Sequence, residues 1–285
     1  MMAIMNYIKL GISFYSYYAN WKRGEMDMPA FIHECKRLGV DGVELLEPLF
    51  RDKAAELPGV EAALKETGLA VGVYSVSNNF VKADSAERRE ALDKIKVGVD
   101  MANHFGAKTV RVFAGDITPG ITFDDGFTWI VEGLALGAQY AYANGVTLAL
   151  ENHGKLAGKS DQVEKILRAV ASPALKANPD TGNFLLVHEA SHDAVEKLAT
   201  RAGMCHFKDF RCVPDNYEGF AYSSIDGVKY AGTAVGEGEV DLPDCVRSLR
   251  EAGFDGWLNI EYEASEDPMT GVARSIEYTT KLLGR

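Results

Sequence analysis

The stretch ANGVTLALENH, residues 143–153, contains the unit on which the fold of this chain depends. Gly145, which can end a helix, is followed by a short run rich in apolar residues. That run predicts a strand, and it finishes in the polar residues Glu151, Asn152 and His153. Polar side chains at the end of such a strand are candidates for chemistry.

The same kind of unit recurs along the whole chain. The runs that predict strands are Ile8–Phe14, Gly42–Leu46, Ala70–Val76, Thr109–Phe113, Thr147–Asn152, Leu175–Asp180, Met204–Lys208 and Trp257–Tyr262. The stretches that predict helices are Met28–Leu38, Lys53–Thr67, Ala86–Phe105, Gly126–Ala143, Asp161–Val170, Ala190–Arg201, Leu242–Ala252 and Thr270–Leu283. Strict alternation is typical of parallel βαβ units. We therefore predict an α/β fold, a single-domain (β/α)8 TIM barrel over residues 1–285, with an open doubly wound sheet as the alternative.

Composition limits the classes of protein to which the chain can belong. Its 285 residues suit one such barrel, and 47% hydrophobic with 25% charged residues are ordinary globular values. A net charge of −11 without a basic block disfavours nucleic acid and anionic membranes as partners. No apolar segment approaches the roughly 20 residues that a membrane span requires. We expect a small-molecule partner, and composition leaves a homo-oligomer open.

Cysteine spacing and the N-terminal sequence indicate the compartment. Cys35, Cys205, Cys212 and Cys245 are scattered without a C-x-x-C pair, which argues against a disulfide framework and a zinc–thiolate site. The first residues, MMAIMNYIKL, lack the basic start, long apolar run and cleavage site of a signal peptide. We therefore expect a cytoplasmic protein.

Metal-capable side chains stand at the ends of the last four predicted strands. In such a barrel the carboxyl ends of the strands form the active face. There, Glu151, Asp180, His206 and Glu261 present three carboxylates and one imidazole at one height. Each residue taken alone fits an ordinary ion pair, but clustered carboxylates repel one another unless a cation holds them together. The set therefore predicts a site for one divalent metal.

The donor set limits the identity of that metal. Three oxygen ligands and one nitrogen, without a thiolate, suit Mn²⁺ or Mg²⁺, with Co²⁺ and Zn²⁺ as alternatives, and we expect Mn²⁺. A metal that chelates a carbonyl oxygen and a neighbouring hydroxyl stabilises the enediolate formed when an adjacent carbon loses its proton. The pattern thus indicates proton transfer on a sugar-like ketone.

Motifs around these residues resemble a known group of enzymes. They are Leu150-Glu151-Asn152-His153, Asp180-Thr181-Gly182-Asn183, His206-Phe207-Lys208-Asp209 and Gly256-Trp257-Leu258-Asn259-Ile260-Glu261-Tyr262-Glu263. Together they look like the sugar phosphate isomerase/epimerase family of xylose-isomerase-like barrels, over nearly the whole chain. That group contains ketose epimerases, aldose–ketose isomerases, inosose and dehydroshikimate dehydratases and enzymes acting on keto-glycosides. The resemblance is therefore poorly specific for substrate.

The resemblance implies roles for the four residues. Glu151, Asp180, His206 and Glu261 would be the metal ligands, and Glu151 and Glu261 would also move protons. Two carboxylates on opposite sides of a substrate can take a proton from one face and return one to the other. Which of them is the base depends on substrate handedness and is left open. We expect a metal-dependent isomerase or epimerase of a small sugar or polyol ketone.

Two departures from the family pattern favour a competing hypothesis. Ketohexose 3-epimerases of this group usually carry a histidine three positions after the metal aspartate, where this chain has Asn183. They also tend to have an arginine about six residues after the metal histidine, where Cys212 stands beside Arg211. The alternative is a metal-dependent dehydratase or lyase acting on a keto-sugar, inosose or dehydroshikimate-like substrate, which needs the same enediolate.

Further polar side chains near the strand ends are candidate substrate contacts. They are His153, Lys208, Asn183, Glu44 and Arg211. Ordinary ion pairs are the alternative: Lys208 with Asp209 or Glu151, and Glu44 with Arg111. The long stretch Phe210–Glu239 is expected to be irregular and to lie over the active face. Candidates for an apolar wall against a sugar, or else for plain packing, are Tyr15, Trp21 and Phe113.

Two other classes of protein are less consistent with the sequence. A DNA-repair endonuclease shares the barrel, but that activity resembles a three-zinc site with extra histidines and acids from strands two to four. Strands three and four end here in Val73–Asn78 and Arg111–Gly115, without a histidine. A binding protein without activity is disfavoured because all four ligand positions are filled.

Overall fold

The computed structural model describes residues 7–285, in which parallel strands alternate with helices from one end to the other. The strands are β1 (Lys9–Ser13), β2 (Gly42–Leu46), β3 (Ala70–Ser75), β4 (Thr109–Val112), β5 (Thr147–Glu151), β6 (Leu175–Asn178), β7 (Met204–Phe207), β8 (Asp209–Val213), β9 (Tyr222–Ser223), β10 (Lys229–Thr233) and β11 (Trp257–Ile260). The helices are α1 (Tyr18–Arg23), α2 (Met28–Leu38), α3 (Lys53–Thr67), α4 (Ser85–Phe105), α5 (Phe123–Ala143), α6 (Ser160–Val170), α7 (Ser191–Ala199), α8 (Leu242–Glu251) and α9 (Pro268–Leu283).

Eight of these strands form one parallel sheet, in the order β6-β5-β4-β3-β2-β1-β11-β7. Isolated parallel bridges, Ala177 to Ala202 and Asp180 to His206, join β6 to β7 and bring the two edges of the sheet together. This closure confirms the predicted (β/α)8 barrel and excludes the open sheet. The predicted strands and helices all have counterparts with similar bounds, and α2 and α3 match their predicted residues.

The interior of the barrel is filled at one end by the indole of Trp257, the first residue of β11. A Cβ atom added to Gly72 would lie 2.3 Å from Cε2 of this ring. A Cβ atom added to Gly42 would lie 2.6 Å from Cη2 of the same ring. Glycine is required at both positions because the ring occupies the space of a side chain. Since β11 starts here, this apolar end lies opposite the strand carboxyl ends.

Local sequence also sets the helix boundaries. Asp27 and Asp52 accept hydrogen bonds from backbone N–H groups in the first turns of α2 and α3, which would otherwise lack partners. Gly68 ends α3 with a φ of 68°, a conformation that other residues adopt at a cost. Gly145, which the sequence predicts to end a helix, follows α5 with a φ of 66°.

The segment between β7 and β11 differs from the prediction. Phe210–Glu239 is expected to be irregular, but part of it forms an antiparallel sheet in the order β8-β10-β9. Its paired residues, such as Arg211 and Ala231, are separated by a long loop. Local sequence periodicity therefore does not reveal this strand pairing. The short helix α1 was also not predicted.

Two expectations about targeting have different outcomes. Within residues 7–285, no helix is both long and apolar enough to cross a membrane. The expectation about a signal peptide concerns mainly residues 1–6, which lie outside the described residues.

Candidate metal centre

Register within the barrel brings the four predicted ligands together. Asn259 of β11 pairs with His206 of β7, and Glu261 follows one residue after β11 ends. Asp180 bridges directly to His206, while Glu151 is the last residue of β5. One ligand atom from each of the four residues lies within 4.8 Å of the other three, and all four side chains are buried. The strand ends thus form one compact donor cluster.

The imidazole of His206 faces the three carboxylates with one nitrogen. Its Nδ1 atom lies 3.2 Å from Oε2 of Glu151, 3.7 Å from Oε1 of Glu261 and 3.9 Å from Oδ2 of Asp180. Despite these approaches, this buried nitrogen makes no hydrogen bond of acceptable geometry. A buried polar atom without a partner is costly, and a cation between the four groups would remove that cost.

The other ring nitrogen of His206 is held by Glu44 of β2. Nε2 lies 2.9 Å from Oε2 and 3.1 Å from Oε1 of that carboxylate. Glu44 also accepts hydrogen bonds from Ser75 Oγ at 2.5 Å and from Asn259 Nδ2 at 2.8 Å. A carboxylate that accepts the Nε2 proton leaves the Nδ1 lone pair free for a metal.

A hydrogen-bonded turn fixes Asp180. The Asn152 side chain accepts from Asp180 N at 2.7 Å and donates to Asp180 O at 3.2 Å. Oδ1 of Asp180 accepts from the backbone N–H groups of Gly182 and Asn183, both at 3.0 Å. This leaves Oδ2 directed at the cluster, where it lies 2.9 Å from the Lys208 ammonium without a well-aligned hydrogen bond.

Burial and crowding change the ionisation of the donors. Burial raises the pKa of Asp180 to about 7, and the negative charges of Glu151 and Glu261 act in the same direction. Burial alone would lower the pKa of the His206 imidazole, but the surrounding carboxylates raise it well above its usual value. Without a cation the cluster therefore retains protons, which a divalent metal would displace.

Lys208 supplies positive charge to the same cluster. Its Nζ atom lies 2.6 Å from Oε2 of Glu261 and 2.7 Å from Oε1 of Glu263, besides its approach to Asp180. The side chain is 3% exposed, so these ion pairs are shielded from water. The predicted partners of Lys208, Asp209 and Glu151, were wrong: Asp209 instead accepts hydrogen bonds from backbone N–H groups of residues 236, 238 and 240.

Arg111 and two amides hold Glu151 from the opposite side. Arg111 Nε lies 3.3 Å from Oε2 of Glu151, and its guanidinium packs 4.0 Å from the centre of the Phe113 ring. Asn178 and Asn183 each donate to the Glu151 carboxylate at 3.3 Å. Burial opposes the charge on Glu151, but His206, Arg111 and His153 keep its pKa below the ordinary value.

A cavity of about 620 Å³ opens above the cluster. Its lining includes Glu151 and Glu261 but neither Asp180 nor His206. Two of the four donors therefore face both the cluster and the cavity, while the other two lie below them. The volume is sufficient for a small sugar or polyol.

Some of the candidate substrate contacts line the cavity, and others lie away from it. His153, Lys208 and Asn183 line the cavity, and their contact with substrate stays a prediction. Glu44 does not: it is fully buried behind His206, and the expected pairing with Arg111 is replaced by the contacts described above. Arg211 does not line this cavity either: its side chain is exposed on β8 and lines a different, smaller cavity.

Aromatic residues and the remaining histidines take the following positions. The candidates for an apolar wall, Tyr15, Trp21 and Phe113, line the cavity. His33, His104, His188 and His192 form partly exposed pairs with acidic residues.

Sequence reasoning missed Glu263 and Arg111 as cavity residues. A signal existed for Glu263, because side chains two residues apart in extended chain point the same way.

Comparison with known proteins is consistent with this geometry. Residues 32–282 match the model of the xylose isomerase-like TIM barrel family, and the chain belongs to that family. It is 25% identical over 274 residues to an inosose dehydratase of Geobacillus thermodenitrificans, covering 90% of this chain and 88% of that protein. It is 24% identical over 247 residues to a fructoselysine 3-epimerase of Shigella flexneri, covering 80% and 82% of the two chains.

A further relative matches over a shorter span. An inosose dehydratase of Clostridium botulinum is 26% identical over 155 residues, and the match spans about half of either protein (53% and 51%). These relatives are sugar-modifying enzymes, which supports the interpretation that this chain is an enzyme.

Solved structures share the fold at low identity. A xylose isomerase-like TIM barrel protein from Mycobacterium smegmatis, in complex with magnesium, superposes with a TM-score of 0.72 at 17% identity, covering 98% and 96% of the chains. The IOLI protein with a binding zinc atom gives a TM-score of 0.75 at 16% identity, covering 97% and 98%.

Proposed function

We propose that this protein is a divalent-metal-dependent isomerase or epimerase of a small sugar or polyol ketone. The proposal depends on one observation: of the four clustered donors, Glu151 and Glu261 also line the cavity. A substrate held there would have a carboxylate from β5 and another from the end of β11 beside it. Fructoselysine 3-epimerase among the relatives supports this class of reaction.

Glu151, Asp180, His206 and Glu261 would hold the metal, and we propose Mn²⁺. Three oxygens and one nitrogen suit that ion, although the neighbours with magnesium and zinc leave alternatives. A bound cation supplies positive charge that stabilises the oxyanion of an enediolate. Glu44 keeps the Nδ1 atom of His206 directed at the cluster, and Asn152 positions Asp180.

The proton-transfer steps belong to Glu151 and Glu261. One carboxylate removes the proton from the carbon beside the carbonyl, and the other returns a proton to the opposite face. Arg111 and Asn183 fix the carboxylate of Glu151, and Lys208 fixes that of Glu261. Asn183, His153 and Lys208 are proposed to bind the hydroxyl and carbonyl oxygens of the substrate.

Elimination is the second candidate, and the position of Lys208 favours it. Its ammonium group lines the cavity 2.6 Å from Oε2 of Glu261, where it could donate a proton to a departing hydroxyl oxygen. The dehydratase would use the same first step and then lose water. Similarity to inosose dehydratases supports this alternative.

Deuterium exchange tests the proposal and separates the two reactions. The protein is loaded with Mn²⁺ and incubated in D₂O with ketoses, keto-glucosides and inososes, and products are followed by NMR and mass spectrometry. Deuterium in an unchanged or isomerised carbon skeleton supports isomerisation, whereas loss of water supports elimination. Glu151→Gln and Glu261→Gln should each reduce exchange by at least about 10²-fold.

A matched control uses a carboxylate outside the site. Glu277→Gln removes an exposed acid that pairs with Lys281 on α9, and this variant should keep full exchange. If the Mn²⁺-loaded protein exchanges no proton across the panel, the proposed function is wrong.

The cysteines and the extent of the barrel support proposals on compartment and domain organisation. The four cysteines are unpaired in the described residues, as is usual in a reducing compartment, and we propose a cytoplasmic protein. Residues 1–285 are proposed to form one domain, because one barrel accounts for the elements described.

A further inference from the structure

A second cavity, of about 370 Å³, adjoins the cavity above the metal centre. Both are lined by Tyr15, Tyr18, Tyr222 and Glu263, so the two spaces meet at these side chains. The second cavity is also lined by Phe220, and its lining contains none of the four clustered donors. A molecule that places its carbonyl above the cluster therefore has room for an attached group beyond Tyr15.

Aromatic rings from two separate parts of the chain border this space. Tyr15 and Tyr18, which both follow β1, are stacked with their ring centres 5.2 Å apart. The same lining includes Tyr222 of β9 and Phe220, whose rings meet edge-on with centres 4.8 Å apart. Flat walls of this kind suit a ring, since a planar or puckered ring can lie against their faces.

Two of these aromatic side chains, those of Tyr18 and Phe220, are exposed and available to contact a ligand. The Phe220 side chain belongs to a residue that is 61% exposed, and Tyr18 is 36% exposed. Neither is covered by another part of residues 7–285 to the extent usual for aromatic side chains, which are among the larger contributors to binding. Both stand at the entrance to the proposed active site rather than on a remote face.

The charges in the second cavity favour a neutral group. Glu263 is already paired with Lys208 and accepts a hydrogen bond from the Tyr222 hydroxyl. Among the described residues that line this cavity, Lys22 is the one cation, and it lies on the exposed helix α1. Arg211, which could have recognised a phosphate, lines a different cavity. Lys208 is taken up by Glu263 and the other acids of the cluster, so a phosphate in this cavity would find no buried cation in the described lining to balance its charge.

We infer that the second cavity is a subsite for a neutral ring, either a second sugar or an aromatic aglycone, carried by the ketone substrate. The inference deepens the proposed function and rests on it for the position of the reacting carbon. Tyr18 and Phe220 are assigned as specificity-determining residues, because they contact the attached ring and not the reacting atoms. A substrate of this class is larger than a free ketose and carries no phosphate.

Binding of stable glucosides tests the subsite without depending on turnover. The probes are methyl β-D-glucoside, phenyl β-D-glucoside and cellobiose, with glucose 6-phosphate as the charged probe, and affinities for Mn²⁺-loaded protein are measured by NMR titration. Phenyl glucoside or cellobiose should bind about tenfold more tightly than methyl glucoside, which corresponds to the contact of one ring. Comparison of those two probes distinguishes an aromatic ring from a second sugar.

Variants of Tyr18 and Phe220 test whether these aromatic side chains cause the preference for a ring. Tyr18→Ala and Phe220→Ala should each bring the affinity ratio of the ring-bearing probe to methyl glucoside close to one, whereas Tyr18→Phe should keep it. Tyr142→Ala is the matched control, because Tyr142 is an aromatic residue of α5 that is 68% exposed and lies outside both linings. Two wall variants are used so that misfolding of one does not decide the result.

The outcomes separate this inference from the proposed function. Equal affinity for methyl and ring-bearing glucosides, tighter binding of glucose 6-phosphate, or no binding of any probe at millimolar concentration would overturn the subsite. Proton exchange on free ketoses could still occur in each of those cases. Conversely, a ring preference that the wall variants remove would support the subsite even if the deuterium experiment shows no exchange.

Discussion

Nε2 of His206 lies 2.9 Å from Oε2 of Glu44, in a part of the barrel interior closed to solvent. Glu44 comes from β2 and His206 from β7, so the contact crosses the barrel. In a neutral imidazole this contact would hold the proton on Nε2, and Nδ1 faces the three carboxylates of the cluster. We propose that Glu44 positions His206 in the candidate metal centre, although among the described residues it is not part of the cavity lining.

The first prediction concerns this contact. Glu44→Gln removes the negative charge that orients the imidazole, and Mn²⁺ affinity should fall by about 10–100-fold. Isothermal titration calorimetry of the metal-free protein measures the change. Glu34→Gln provides the control, since Glu34 is also buried but pairs with Arg37 on α2, and it should bind Mn²⁺ normally. Equal affinities of the two variants would contradict the role of Glu44.

The second prediction concerns Lys208 and the stability of the metal-free protein. Lys208→Met leaves Asp180, Glu261 and Glu263 without their buried counter-charge, and we expect the free energy of unfolding to fall by about 3–5 kcal/mol. Mn²⁺ should restore part of this loss, because the cation binds the folded state. Urea unfolding with and without Mn²⁺ measures both effects.

An exposed lysine provides the comparison for Lys208. Lys165→Met removes a surface ion pair with Asp124 and should change the free energy of unfolding by less than about 1 kcal/mol. A Lys208→Met variant that is as stable as the parent protein without Mn²⁺ would show that the ammonium does not balance the cluster.

The third prediction is a pH dependence at the other end of the barrel. Burial would raise the pKa of Asp41, but hydrogen bonds from Arg285, Leu10 N and Tyr7 bring it below its ordinary value of 3.8. A folded-state pKa below the unfolded one stabilises the protein above about pH 4, and this contribution is lost as the pH falls through the folded value. Asp41→Asn should therefore cost about 1–2 kcal/mol at pH 7 and progressively less below pH 4.

Urea unfolding at pH 7 and pH 3 measures this difference. Asp93→Asn, at an exposed acid on α4, is the control and should change stability little at either pH. A cost of Asp41→Asn that is the same at both pH values would mean that its charge is not responsible.

The fourth prediction concerns packing against Trp257. Gly72→Ala places a methyl group where the indole ring lies, at 2.3 Å from Cε2, and should lower the free energy of unfolding by about 1–3 kcal/mol. Thermal unfolding measures the loss. Ala70→Ser, two residues earlier on β3 with an exposed side chain, should stay within about 0.5 kcal/mol. If Gly72→Ala is as stable as the parent, the ring has room to move.

The sequence alone was sufficient to predict the barrel and its four clustered donors. Strand and helix positions follow from local periodicity and helix-ending glycines, and a donor at the end of a parallel strand must lie on the active face. Glu151, Asp180, His206 and Glu261 could therefore be grouped without knowledge of any distance. Their roles as ligands and proton carriers remain proposals.

Only the tertiary structure decided what surrounds those donors. The contact of Glu44 with His206 joins residues 162 positions apart, and whether a strand residue faces the cavity or lies beneath it depends on barrel curvature and register. The same holds for Arg211, which the pairing of β8 with β10 turns away from the cluster, and for Lys208, whose partners come from β6 and β11 ends. Local sequence determines which residues end strands; closure of the barrel determines which of them meet.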